Sequence, residues 1–141
     1  MTTPLAPGLT RQIRRAAAAL SEAELARIAA AAFVPDGQVA RWAEIIFFDP
    51  SAASGAFAGI REKDDGNGRP GREFTIDAAA LRRGLRRAIE ASVELYGLDP
   101  EQAISGHLAA AGDPAIADRV VQFAIFASDR EVYYTGAGVE S

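Results

Sequence analysis

A change of hydrophobic period between residues 72 and 97 constrains the fold more than any other feature of this sequence. The alternation before Asp77 places Phe74 and Ile76 on one side of an extended segment, as in a half-buried strand. After Asp77 one stripe follows helical spacing, formed by Leu81, Leu85, Ala88, Ile89, Ser92, Val93 and Tyr96. Asp77 suits the N-cap of this helix, and Gly97 suits the position just after its end. The sequence therefore predicts a strand leading into a helix of roughly twenty residues, about 30 Å long.

Composition limits the classes to which the protein can belong. A chain of 141 residues is long enough for one domain with a substantial core. The absence of cysteine excludes disulfides, thiolate metal sites and cysteine nucleophiles. A net charge of −4 argues against broad electrostatic affinity for nucleic acid. We expect one domain over 9–135, with a flexible start at 1–8 and a flexible tail at 136–141.

Start and stop signals predict further helices around the central one. Ser21 followed by Glu24 fits a capping box, and Asp99-Pro100 and Asp113-Pro114 each combine an N-cap with proline at the first helical position. The predicted helices are 9–20, 21–33, 38–48, 77–97, 100–111 and 114–127. For 38–48 the pattern favours a helix over a strand, but the apolar run at 45–48 leaves the choice open, because periodicity alone cannot decide so short a run.

Two strands, 57–62 and 72–76, are predicted to form a hairpin, since the intervening 63–71 is rich in turn-forming residues. A two-stranded ribbon is marginal in water, so we expect it to gain a third strand, for which 131–135 is the candidate. The fold class is therefore α+β: a mostly helical single domain with a small antiparallel β-hairpin or three-stranded sheet.

Candidate metal and catalytic residues are sparse. The stretch 63–74 resembles a calcium loop, but Lys63 at its first position and Phe74 at its twelfth are not oxygen ligands. His107 is the one histidine, and its spacing from Ser105 places the two on different faces of a helix. We therefore predict no metal, no cofactor and no enzymatic activity. The alternative, a small enzyme of unknown class, would use His107, Asp118 and Tyr133 or Tyr134 around one pocket.

Eight basic residues lie between positions 61 and 87, inside a chain of negative net charge. They are Arg61, Lys63, Arg69, Arg72, Arg82, Arg83, Arg86 and Arg87. The first four belong to the hairpin, and the last four lie on the face of the central helix opposite its leucines. We predict that this hairpin tip and arginine face form a partner-binding surface. The alternative is a solvated face balanced by nearby acids, which are Glu62, Glu73, Glu90 and Glu94.

The carboxyl-terminal part of the chain resembles a group of known proteins. The apolar segment IADRVVQFAIF at 116–126, followed by EVYYTG at 131–136, resembles the ends of small uncharacterised proteins from phages, prophages and plasmids. The strand at 73–76 entering a basic helix also fits that group. Those proteins have Phe-Gly-Glu before the last strand, whereas this chain has Ala-Ser-Asp-Arg at 127–130. The resemblance implies a mobile-element origin and an intracellular setting, and it implies no activity and no site residues.

These observations predict a non-catalytic accessory protein of a mobile element that binds a host or phage macromolecule, for example as an inhibitor of a host defence system. A protein partner is expected, and a homo-oligomer is left open. The other alternative is a nucleic-acid-binding protein that uses the arginine face of helix 77–97, where guanidinium groups would contact phosphates. No apolar run is long enough to cross a bilayer and no signal peptide is recognisable, so we expect a cytoplasmic protein.

Overall fold

A computed structural model describes residues 7–34, 37–63, 72–110 and 112–126. Its helices are α1 (Pro7–Ala18), α2 (Glu22–Ala32), α3 (Val39–Trp42), α4 (Ala78–Tyr96), α5 (Pro100–Ala110) and α6 (Pro114–Ile125). Its strands are β1 (Ala43–Phe48), β2 (Ala58–Glu62) and β3 (Glu73–Ile76). Outside the described residues lie the predicted strand at 131–135, positions 64–71 of the calcium-like stretch 63–74, and both predicted tails except Pro7 and Gly8.

The predicted helix caps are present. Ser21 and Glu24 form the capping box of α2: the serine Oγ accepts from the Glu24 amide at 3.1 Å, and the glutamate Oε1 accepts from the Ser21 amide at 2.8 Å. Asp77 caps α4 by accepting from the Ala80 amide at 2.8 Å. Gly97 ends α4 with a left-handed φ of 67°, which glycine adopts without steric strain. The central helix is therefore confirmed at both ends.

The prediction of a helix over 38–48 is wrong beyond Trp42. Only Val39–Trp42 is helical, and Ala43–Phe48 is a strand paired antiparallel with β2. The sheet has the order β1-β2-β3, so its third strand precedes the hairpin in the chain. β-branched and aromatic residues at 45–48 suit a strand, and β2 supplies the hydrogen-bonding partner that the local pattern does not reveal.

The core surrounds α4, and the fold is α+β and mostly helical, as predicted. Leu81, Leu85 and Ile89 of α4 are fully buried. The helix crosses α6 at Gly84, where an added Cβ would lie 2.0 Å from the carbonyl oxygen of Val120. This close approach brings the sides of α4 near the last turn of α6.

The sheet covers one side of this core with one of its two faces. Ala58, Ile60 and Ile76 on the inner face are fully buried. The opposite face carries Arg61 and Thr75, which are exposed. The three-stranded sheet therefore packs on the helices with its inner face and exposes its outer face to solvent.

Candidate functional site

The four arginines of α4 are half-buried, and three of them bind backbone carbonyl groups. Arg82 Nη2 donates to the Leu20 carbonyl at 2.8 Å, just beyond the end of α1. Arg83 Nε donates to the Ala124 carbonyl at 3.1 Å, and Arg87 Nη1 donates to the Phe123 carbonyl at 2.8 Å. The last carbonyls of a helix lack intrahelical partners and form the negative end of its dipole. These guanidinium groups therefore join α4 to the ends of α1 and α6.

This environment changes the electrostatics of α4. Burial lowers the pKa of Arg87, and the charges of Arg83 and Arg86 lower it further. Burial also raises the pKa of Glu90, against the opposing effect of Arg86. Arg86 makes no hydrogen bond with a described residue. Of the predicted arginine face, three members thus have contacts inside the protein, and Arg86 is the best probe of whether the face also serves a partner.

Two of the basic residues of the hairpin, Arg61 and Arg72, form ion pairs with carboxylates. Arg61 Nη2 lies 2.6 Å from Glu73 Oε2, and its Nη1 lies 3.3 Å from Glu44 Oε1. Arg72 Nε lies 2.7 Å from Glu62 Oε1, and its guanidinium carbon lies 5.5 Å from the centre of the Phe74 ring. Lys63 is exposed, and Arg69 lies outside the described residues. Two ion pairs of the kind that the alternative of a balanced face requires are thus present, Arg61 with Glu73 and Arg72 with Glu62.

Charged side chains form a row across the outer face of the sheet. The strand register places Glu73 of β3 opposite Arg61 of β2, and Arg61 opposite Glu44 of β1. Next to this row Phe47 lies opposite Gly59, where an added Cβ would be 2.6 Å from the Phe47 Cε1 atom. Because Gly59 has no side chain, the Phe47 ring occupies the space over the backbone of β2 that a side chain would otherwise fill.

Three consecutive large apolar residues of β1 are exposed. Ile46 is 48% exposed, Phe47 42% and Phe48 36%. The Phe48 ring centre lies 5.9 Å from that of Phe33, and Val34, the next residue after Phe33, is exposed as well. The register places Phe47 on the outer face, opposite Gly59, and Phe48 on the inner face, opposite Ala58, so the two rings lie on either side of the strand at the edge of the sheet. Exposed apolar groups commonly mark a binding surface. We refer to Glu44, Ile46, Phe47, Phe48 and Arg61 as the β1 surface.

The edge of β1 that faces away from β2 has no strand paired with it in the part of the chain that the structure describes. The Lys63 amide donates to the Trp42 carbonyl at 3.0 Å, and the Asp49 amide donates to the Phe57 carbonyl at 2.7 Å. Because paired and unpaired positions alternate in an antiparallel ladder, the backbone groups of Ile45 and Phe48 point away from β2. No other strand of the described ranges pairs with that edge. The register shift at Ile46 is a bulge, a feature that limits unspecific pairing at sheet edges.

His107 belongs to a buried polar contact between α4 and α5. Its Nδ1 lies 2.8 Å from the Ala103 carbonyl, which can only accept, so Nδ1 carries a proton. Its Nε2 lies 3.4 Å from the Ser92 hydroxyl, which in turn donates to the Ala88 carbonyl. Burial lowers the pKa of His107. Ser105, the serine close to it in sequence, donates to the Glu101 carbonyl instead.

Asp118 belongs to a different polar contact. It is fully buried and accepts from the indole nitrogen of Trp42 at 2.7 Å and from the side-chain amide of Gln122 at 2.9 Å. Burial raises the pKa of this carboxyl group. His107 and Asp118 thus have separate sets of partners. Tyr133 and Tyr134, one of which the enzyme hypothesis requires, lie outside the described residues.

The fold and the β1 surface define a mostly helical α+β protein with an exposed apolar strand at the edge of its described sheet. Comparison with protein-family models, curated proteins and solved structures finds no match for this chain. Among the described helices, none combines the length and apolar character needed to cross a membrane. In the same part of the chain, no three His, Asp or Glu side chains are grouped so that they could hold a metal ion.

Proposed function

We propose that this protein acts by binding another protein through the β1 surface and that it performs no catalysis. The observation that carries the proposal is the exposure of three consecutive large apolar side chains, Ile46, Phe47 and Phe48, on a strand at the edge of the sheet formed by the described residues. Apolar surface removed from water contributes roughly 25 cal/mol per Å², so covering these side chains would stabilise a complex.

The β1 surface shares Arg61 with the partner-binding surface predicted from the sequence, but its centre lies on β1 and not on α4. Arg61 remains, because it lies on the outer face of the sheet beside Glu44. Arg82, Arg83 and Arg87 contribute to the connection of α4 with α1 and α6 through their carbonyl contacts. A nucleic acid would need such guanidinium groups free to meet phosphates, so the contacts favour a protein partner.

The biological setting that we propose is that of a mobile-element accessory protein. It would bind a host or phage protein and, as one form of this role, inhibit a host defence system. The support for this part of the proposal is the resemblance of the carboxyl-terminal sequence. Binding through the β1 surface does not depend on it.

The experiment compares three tagged proteins in a pull-down from the natural host, read by mass spectrometry. The double variant Ile46→Thr/Phe47→Thr replaces the apolar groups by a residue that retains β-propensity. Arg86→Gln is the matched control on α4, since Arg86 makes no hydrogen bond with a described residue. Circular dichroism and urea unfolding check that all three are folded.

We expect the wild type and Arg86→Gln to retain the same partner and the double variant to lose it. With the purified partner, the affinity of the double variant should fall at least about tenfold, as is usual for central interface residues. Loss of the partner from Arg86→Gln, with full retention by the double variant, would instead place the contact on α4.

A further inference from the structure

We propose that the partner binds the β1 surface as an added antiparallel strand, with a lysine or arginine opposite Glu44 and an apolar residue opposite Phe47. This inference rests on the proposed function and adds the chemistry of the segment that would be recognised. Three features of the described residues support it: a charge row, the exposed ring of Phe47 and a backbone edge with no strand paired to it in the described ranges.

The charge row ends on an incompletely paired carboxylate. Arg61 makes two hydrogen bonds to Glu73 Oε2, at 2.6 and 3.1 Å, but one of 3.3 Å to Glu44. The side chain of Glu44 is 63% exposed. From β3 to β1 the charges therefore alternate, with Glu73 negative, Arg61 positive and Glu44 negative. A strand added beside β1 should carry a positive residue opposite Glu44. Opposite charges on directly facing residues stabilise strand pairing, and like charges destabilise it.

The position of Phe47 relative to Glu44 fixes the spacing of the recognised segment. Glu44 and Phe47 share the outer face and lie opposite Arg61 and Gly59 on β2, which are two positions apart. Ile46 is the extra residue of the bulge, so a regular strand on the other side would also span Glu44 to Phe47 in two steps. In an antiparallel arrangement the segment therefore has the order apolar, any residue, basic.

The open edge supplies the main-chain contacts that strand addition needs. Ile45 and Phe48 point their amide and carbonyl groups away from β2, where an extended peptide could pair with them. A second copy of β1 would place no positive charge opposite Glu44, because its sequence, AEIIFF, has no basic residue. The chemistry thus favours a segment of a different protein.

The test uses two synthetic peptides, Thr-Thr-Phe-Val-Lys-Val-Thr-Gly and the same sequence with glutamate in place of lysine. Each is titrated into the ¹⁵N-labelled wild type and into the Glu44→Lys variant. We expect the wild type to bind the lysine peptide at least roughly threefold more tightly than the glutamate peptide. Glu44→Lys should invert this preference, and bound peptide should slow the amide exchange of Phe48.

The outcomes separate this inference from the proposed function. Equal binding of both peptides by both proteins would contradict the predicted preference for a basic residue opposite Glu44. If neither peptide binds while Ile46→Thr/Phe47→Thr still loses the natural partner, strand addition is wrong and the proposed function stands. If neither peptide binds and that double variant retains the partner, both fail. A dimer by analytical ultracentrifugation that Ile46→Thr/Phe47→Thr abolishes would also overturn the choice of a foreign segment.

Discussion

Replacing Gly84 by alanine should destabilise the protein strongly, although alanine is the better helix former. The added Cβ would lie 2.0 Å from the Val120 carbonyl oxygen and 3.1 Å from the Ala124 Cβ. The oxygen belongs to the backbone of α6 and cannot rotate away. The two helices must therefore separate by about 1.4 Å before this contact reaches ordinary van der Waals range.

The size of the effect follows from three contributions. Overpacking of this kind costs up to about 3 kcal/mol, and weakening one charge-assisted hydrogen bond of Arg83 or Arg87 to α6 about 1.5 kcal/mol. The higher helix propensity of alanine offsets about 1 kcal/mol. The free energy of unfolding should thus fall by about 3.5 kcal/mol, which an m value of about 1.5 kcal/mol/M converts into a urea midpoint roughly 2 M lower.

The assay is equilibrium urea unfolding followed by circular dichroism, and the chain offers a matched control. Gly106 is also inside a helix, but a Cβ there would meet nothing within 4 Å. Gly106→Ala should therefore stabilise the protein by up to about 1 kcal/mol. If Gly84→Ala proved as stable as the wild type, or gained stability as Gly106→Ala does, the close crossing of α4 and α6 would be refuted.

Three further predictions concern the buried polar groups. Burial holds the pKa of His107 below its ordinary value, so the unfolded chain binds the proton more readily than the folded protein does. The stability that the neutral His107 contributes is therefore complete above about pH 6.5 and is lost as the pH falls further. His107→Gln should therefore lose less stability than the wild type between pH 7 and pH 5 in urea titrations, and an equal loss would contradict this. Asp118→Ala leaves the Trp42 indole without that acceptor and should lower the free energy of unfolding by about 2 kcal/mol, with a smaller loss for Asp118→Asn; equal losses would count against the hydrogen bond. Arg87→Gln should cost about 1.5 kcal/mol and Arg86→Gln under about 0.5, since Arg87 binds the Phe123 carbonyl; the reverse order in thermal unfolding would contradict the assigned contacts.

Helix limits were predictable because their determinants are local. The bonds that cap α2 and α4 join residues three positions apart, Ser21 with Glu24 and Asp77 with Ala80. The glycine at 97 likewise acts within one turn. Such signals are complete within a few residues, so the sequence alone places these helix ends correctly.

The strand at 43–48 was not predictable in the same way. Its apolar run fits a helix or a strand, and the choice depends on pairing with Gly59 and Ile60, more than ten positions away. The glycine within β2 was an available signal, since glycine in a strand often marks a close approach by another group. Here that group is the ring of Phe47.

The contacts of the α4 arginines were also beyond the sequence. Helical spacing placed them opposite the leucines, but their acceptors are the carbonyls of Leu20, Phe123 and Ala124. Every residue has a carbonyl group, so no side-chain pattern identifies these acceptors. Only the packing of α1 and α6 against α4 selects them.

Hydrogen–deuterium exchange, measured by mass spectrometry on the free protein and on its complex with the captured partner, tests the central claim most directly. We predict that binding slows exchange over 43–48 and leaves 82–87 unchanged. Slower exchange at 82–87, with 43–48 exchanging as fast as in the free protein, would contradict binding through the β1 surface.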